Sequence, residues 1–165
     1  MPVKYAAYGS NLHPVRLRER TGEVRLLGTA AVDHLALKFH KRGNVDGSAK
    51  CDIVEARGSR VHLAVFEIPD AGLENLDIAE GVGSGYTREH IEVPGFGRCL
   101  TYRAQASHID DSLKPFDWYK RLVLAGCRYH GFPAAYLEAI EAVQAVIDPD
   151  PDRHAAHELL LQKLI

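Results

Sequence analysis

LALKFHKRGNVDGSAKCDI, residues Leu35–Ile53, is the stretch on which the fold turns. Leu35, Leu37 and Phe39 alternate with Ala36 and Lys38, the period of a strand with one buried face. Lys41–Ser48 then supplies Gly-Asn and Asp-Gly pairs, which is hairpin-turn chemistry, and Lys50–Ala56 resumes the strand character. Reading outward, Val24–Thr29 and Ala31–His40 are β-rich before the turn. After it, Arg60–Ile68 follows around Gly58-Ser59, with Val61, Leu63 and Val65 alternating against His62 and Ala64. Val3–Tyr8 is a further strand, and Tyr86–Val93 pairs with Cys99–Ala104 across a Pro-Gly-Phe-Gly turn.

Helical spacing is rarer and comes late. Asp70–Ala79 reads as a short helix, started by Pro69 or Asp70 and stopped by Gly81 at C′. Phe116–Tyr129 carries Tyr119, Leu122, Val123 and Cys127 on one face, and Gly131 stops it. Pro133 suits the first turn of another helix with Tyr136, Leu137, Ile140, Val143 and Ile147 on its apolar face, ended by Pro149 and Pro151. A last helix covers His154–Leu164. Strands first and helices last predict an α+β domain with a small, mostly antiparallel sheet, curled or closed into a β-barrel, flanked by helices. No linker or repeat divides the chain, so residues 1–165 read as a single domain with a C-terminal helical extension at about 151–165.

With 165 residues, 46% hydrophobic and 25% charged, the composition is that of an ordinary globule. A net charge of −2 with interspersed signs gives no footprint for nucleic acid. Apolar runs fall far short of the ~20 residues of a membrane helix, and the N-terminus lacks a secretory h-region; a cytoplasmic protein is expected. Cys51, Cys99 and Cys127 are odd in number and widely spaced, as free thiols in a reducing compartment are. His154 and His157 have helical spacing but no third ligand, and neither HExxH nor CxxC occurs, so no metal site is expected.

Chemistry points to two places. Tyr8-Gly9-Ser10-Asn11-Leu12 is a turn directly after a strand, where successive backbone N–H groups can bind a carboxylate or a developing oxyanion. Read locally, it is equally a plain strand–turn in which Asn11 caps a helix over Leu12–Arg18 and His13-Pro14 fits the start. Glu80 lies in or beside the last turn of its helix, before Gly81-Val82-Gly83-Ser84-Gly85. There the helix dipole disfavours an ionised carboxylate by ~0.3–1 kcal/mol, a bias suited to a general acid/base. The alternative is a solvated surface Glu. The glycine run precedes a strand rather than a helix, which fails the context of a nucleotide loop. Tyr86, Tyr102 and Tyr119 are candidate pocket hydroxyls or core aromatics. Cys127, on an apolar helical stripe, reads as core rather than nucleophile, and Ser10 sits in no nucleophile elbow.

AYGSNL (Ala7–Leu12), NLDIAEGVGSGYTR (Asn75–Arg88), LTYRA (Leu100–Ala104) and WYKRLVLAGCRYHGFPAAYLEAI (Trp118–Ile140) together resemble the γ-glutamylcyclotransferase family. The likeness spans about Val3 to Ile147 and is nearest to the branch acting on γ-glutamyl amino acids; Asn11 points away from the glutathione-cleaving branch. The resemblance implies a cofactor- and metal-free enzyme of glutathione metabolism that converts a γ-glutamyl amide into 5-oxoproline and a free amine. It implies Glu80 as the acid/base, with Tyr8, Gly9, Ser10, Asn11, Leu12, Tyr86 and Tyr119 holding the substrate. Whether the loop grips the γ-carbonyl oxygen or the α-carboxylate stays open. γ-Glutamylamines or a carrier-linked γ-glutamyl group would use the same site, with Lys41–Lys50 a leaving-group contact or a plain solvent loop. A binding module without catalysis and a Cys127-dependent enzyme are the other classes. The expected partner is a small γ-glutamyl molecule, without nucleic acid or membrane. A homodimer through Pro151–Ile165 is set against docking of Leu159-Leu160-Leu161 on the chain's own core.

Overall fold

The computed structural model describes residues 2–165. In chain order the elements are β1 (Val3–Ala7), α1 (Pro14–Thr21), β2 (Arg25–Arg42), β3 (Ala49–Ile68), α2 (Asp70–Glu80), β4 (Tyr86–Val93), β5 (Gly97–Ala104), α3 (Asp117–Tyr129), α4 (Ala134–Glu141) and α5 (Pro151–Gln162), with a 3-10 turn at Ala106–His108. The strands form one five-stranded sheet in the order β2-β3-β1-β5-β4. β1 and β5 run parallel and the other neighbours antiparallel. The α+β architecture is as the sequence predicts; of the two sheet forms expected, the open one is adopted, with β2 and β4 as edges.

The predicted breaks do not divide the strands, which corrects the segmentation: pairing runs unbroken through Ala30↔Leu63, and Gly58-Ser59 falls at an irregularity opposite His34. Val24–Thr29 and Ala31–His40 merge into one strand of 18 residues, and Lys50–Ala56 and Arg60–Ile68 into one of 20. Leu27 is extra between the Leu26↔Phe66 and Gly28↔Val65 pairs. His34, at φ 65, faces residues 56–59 and accepts the Gly58 N–H on Nδ1. His40 is extra between Phe39↔Cys51 and Lys41↔Lys50. Such an insertion bends a strand and re-aims its side chains while pairing continues on both sides. The turn is accordingly shorter than Lys41–Ser48, since Lys41 and Arg42 still belong to β2.

Helix ends follow local chemistry, with two corrections. His13, not Asn11, caps α1: its Nδ1 accepts the Val15 N–H at 3.2 Å, and Pro14 occupies the first turn. α4 stops at Glu141, short of Ile147, because the chain beyond it pairs elsewhere. Val146 exchanges backbone hydrogen bonds with Pro115 and Asp117, and Ile147 is exposed. Pro151 therefore begins a helix rather than ending one; Asp150 caps α5 through the N–H groups of Asp152 and Arg153. Leu160, Leu161 and Leu164 are buried and Leu159 is exposed, so α5 docks on the chain's own core. Asp148 fastens that junction by accepting from Trp118 Nε1 and, bidentately, from Arg153.

One apolar core joins sheet and helices: Leu63, Val65 and Phe66 from β3, Leu76 from α2, and Leu122 and Val123 from α3 are wholly buried. Central β1 contributes Ala6 and Ala7, both fully buried. No helix among the described residues is long and apolar enough to cross a membrane.

Candidate functional site

The ends of β1 and α2 converge beneath α3, and that convergence builds a site. α2 runs to Glu80 itself, and Gly81 follows in the left-handed region at φ 65, its N–H turned back on Asp77 and Ile78. The Glu80 side chain, 13% exposed, points inward rather than into solvent. Its Oε1 accepts from Asn11 Nδ2 at 2.7 Å and lies 3.4 Å from Arg20 Nη1. Asn11, 2% exposed, also donates to the Tyr5 hydroxyl at 3.1 Å and accepts from Arg20 at 3.3 Å. Loop and carboxylate are thus one hydrogen-bonded unit.

Close packing sets the loop's path. A Cβ on Gly9 would lie 2.9 Å from Cys51 Cβ, and one on Gly126 would lie 2.4 Å from Leu12 Cβ and 3.0 Å from the His13 nitrogen. Glycine at both positions lets β3 and α3 press against the turn. Leu12 is fully buried beneath, and its carbonyl accepts from His130 Nε2 at 2.6 Å. The Leu12 N–H closes the turn onto the Gly9 carbonyl. The backbone N–H groups of Gly9, Ser10 and Asn11 donate to no partner among the described residues.

Those residues line a narrow recess of about 20 Å³, together with Tyr5, Tyr8, Cys51, Glu80, Tyr86, Tyr102 and Tyr119. Tyr8 donates to the Tyr102 carbonyl, Tyr86 to the Cys51 carbonyl, and Tyr102 to Asp77 Oδ1. Tyr119 accepts the Cys51 N–H at 2.9 Å, which leaves its own proton to give. Burial pushes the Tyr8, Tyr86 and Tyr119 phenols well above their ordinary values, so they are neutral donors throughout the physiological range. The recess shares Ser10, Glu80, Tyr86 and Tyr119 with an outer chamber of about 330 Å³. The chamber walls come from α1, the β2–β3 turn, the end of α2, Trp118 at the head of α3, and Arg153 and His157 of α5.

The structure gathers Tyr8, Gly9, Ser10, Asn11, Glu80, Tyr86 and Tyr119 around the recess, with Tyr102 beside them. Leu12 stays in the core. The Lys41–Lys50 segment lines the chamber through Lys41, Gly43, Asn44, Val45, Asp46 and Lys50. Sequence reasoning overlooks Tyr5, Cys51, Arg16 and Arg20. The two arginines had a signal, since their i,i+4 spacing sets them on one helical face; Tyr5 and Cys51 had none. Burial pushes the Cys127 thiol up to about 12, away from the thiolate a nucleophile needs. Among the described residues no group of His, Cys, Asp and Glu side chains is arranged to hold a metal ion.

Residues 60–140 match the AIG2-like family. The γ-glutamylcyclotransferase of Homo sapiens is 28% identical over 149 residues, covering 85% of this chain and 78% of the relative. That of Bos taurus is likewise 28% identical over the same length. A solved gamma-glutamyl cyclotransferase superposes with a TM-score of 0.83 at 22% identity, covering 99% of both chains. An uncharacterized protein from Homo sapiens superposes at 0.84 with 24% identity and 98% coverage of both. Both structural likenesses are likenesses of fold.

Proposed function

We propose that this chain is a γ-glutamylcyclotransferase acting on γ-glutamyl amino acids, with Glu80 as the acid/base; its likeness to the AIG2-like family over residues 60–140 and to γ-glutamylcyclotransferases at 28% identity supports the reading. The observation that carries the reading is the 2.7 Å bond between Asn11 and Glu80, which fastens a proton-transfer group to an anion-binding turn at the mouth of one recess. The substrate supplies its own nucleophile. Folded back, its α-amine reaches its γ-carbonyl and closes a five-membered ring, so holding that conformer is the main catalytic advantage.

The α-amine is mostly ammonium at pH 7, given a reference value of roughly 7.7–8.0. Glu80 takes a proton from it, and the freed nitrogen attacks the γ-carbon. The oxygen that becomes negative is met by the unused N–H groups of Gly9, Ser10 and Asn11, or those groups hold the α-carboxylate while Tyr119 donates to the oxygen. Collapse breaks the amide bond, and Glu80 delivers a proton to the departing nitrogen. Overall two protons pass from the α-nitrogen to the leaving nitrogen, and no water is consumed. The products are 5-oxoproline and an amino acid.

Glu80→Gln keeps the shape and removes the proton acceptor. It is expected to fold as the parent does and to lose roughly 10²–10⁴-fold in 5-oxoproline release from γ-glutamyl-alanine, the usual worth of general acid–base catalysis. Parental turnover in this variant overturns the assignment.

A further inference from the structure

The outer chamber is built for more negative charge than one carboxylate. Most of its cations already have partners. Lys50 pairs with Asp46 at 2.9 Å, Arg20 with Glu80 at 3.4 Å, and Arg153 with Asp148 at 2.6 Å. Two are left over. The Lys41 ammonium makes neither a hydrogen bond nor an ion pair among the described residues, although the residue is only 3% exposed. Its ammonium lies 4.5 Å above the centre of the Tyr86 ring, against a tyrosine shared by recess and chamber. The Arg16 guanidinium has no hydrogen bond among the described residues either, and its Nε is buried without a partner.

A buried lysine without a carboxylate in direct contact is costly to the fold, and strands ordinarily turn such a residue outward. Here the His40 bulge prevents it: the register slips by one between Phe39↔Cys51 and Lys41↔Lys50, so His40 and Lys41 are both buried although consecutive. The slip aims Lys41 into the chamber. Arg16 reaches the same space from α1. Two cations from separate elements, neither held in a direct ion pair, are a ready site for two carboxylates.

Resting on the cyclotransferase reading above, we infer that Lys41 and Arg16 select the leaving group, and that the preferred substrates are γ-glutamyl compounds whose departing amino acid is itself acidic, such as a glutamate joined through its α-nitrogen. With the glutamyl part in the recess, the leaving group occupies the chamber. A dicarboxylic amino acid there satisfies both cations. A monocarboxylic one leaves a cation unpaired, and a plain amine leaves both.

The test measures kcat/KM for 5-oxoproline release from γ-glutamyl-glutamate, γ-glutamyl-alanine and γ-glutamyl-ethylamide. The order expected is that just given, with steps of roughly tenfold per cation, the scale of a charge-assisted hydrogen bond, and a preference that shrinks with added salt. Lys41→Met should reduce the preference for glutamate over ethylamide about tenfold, and Lys41→Arg should restore most of it. Arg16→Gln provides the same comparison should Lys41→Met fail to fold. Equal kcat/KM for the three compounds in the parent protein, or a preference untouched in both Lys41→Met and Arg16→Gln, overturns the inference while leaving the cyclotransferase reading intact. No oxoproline from any compound overturns that reading, and this one with it.

Discussion

Gly126→Ala tests whether the site is held by the close approach of α3 to the Tyr8–Leu12 turn. The added methyl would sit 2.4 Å from Leu12 Cβ, 3.0 Å from the His13 nitrogen and 3.3 Å from the Leu12 carbonyl carbon. Comfortable carbon–carbon contact needs about 3.5–4.0 Å, so helix and turn must separate by roughly 1 Å. Leu12 is wholly buried, and the other two atoms are backbone, so no side chain can rotate aside. Overpacking of this kind typically costs about 1–3 kcal/mol. Alanine recovers roughly 0.8–1.0 kcal/mol through helix propensity, which leaves a net loss of up to about 2 kcal/mol, with the rigid contact favouring the upper end. Urea denaturation should show a lower midpoint at unchanged slope. The same displacement moves Asn11, and with it the partner of Glu80; a misplacement of about 1 Å can cost up to roughly a hundredfold in turnover. Loss of both stability and 5-oxoproline release is the expected result. A variant at least as stable as the parent, with parental kcat, would refute the steric reasoning.

Asn11→Ala removes the 2.7 Å donor to Glu80 while leaving the backbone turn in place. A hydrogen bond to a charged group is worth about 1.5–3 kcal/mol, so kcat should fall about ten- to a hundredfold with the circular dichroism spectrum retained; an unchanged kcat would show that Glu80 needs no such support. Stability should decline as pH falls below about 6.5. Burial holds His13, His62, His130 and His157 below the ordinary histidine value, so in that window the unfolded chain binds protons that the folded one refuses. The Asp148 carboxylate, held low chiefly by the Arg153 hydrogen bonds, adds a further loss below about pH 4, as protonation breaks the α5 junction. Denaturation midpoints that stay constant from pH 8 to 5.5 would contradict the histidine account. His157→Phe, which keeps an aromatic ring stacked on Trp118, should flatten the slope.

Much of this was legible in the residues. Alternation in Leu35–Phe39 and Val61–Val65 locates the long hairpin, and Gly81 locates the end of α2, hence the position of Glu80. Less legible was the continuity of β2 and β3. Turn-forming pairs such as Gly58-Ser59 mark a bulge as readily as a break, and only the cross-strand register separates the two. Asn11 illustrates the limit at the site. Its type and position suit a helix cap, and only the folded chain offers Glu80, 69 residues away in sequence, as the stronger partner.

The sequence by itself determined the local elements and the two fragments of the site, because period, turn chemistry and helix stops act within a few residues. Tertiary structure decided what those fragments do together. It set Asn11 on Glu80, and it turned Lys41 inward through a one-residue slip against Lys50. It also brought Arg16, Lys41 and Arg153 from three distant elements to one chamber. Charge recognition depends on which ions end up without partners, and that count exists only once the chain has closed on itself.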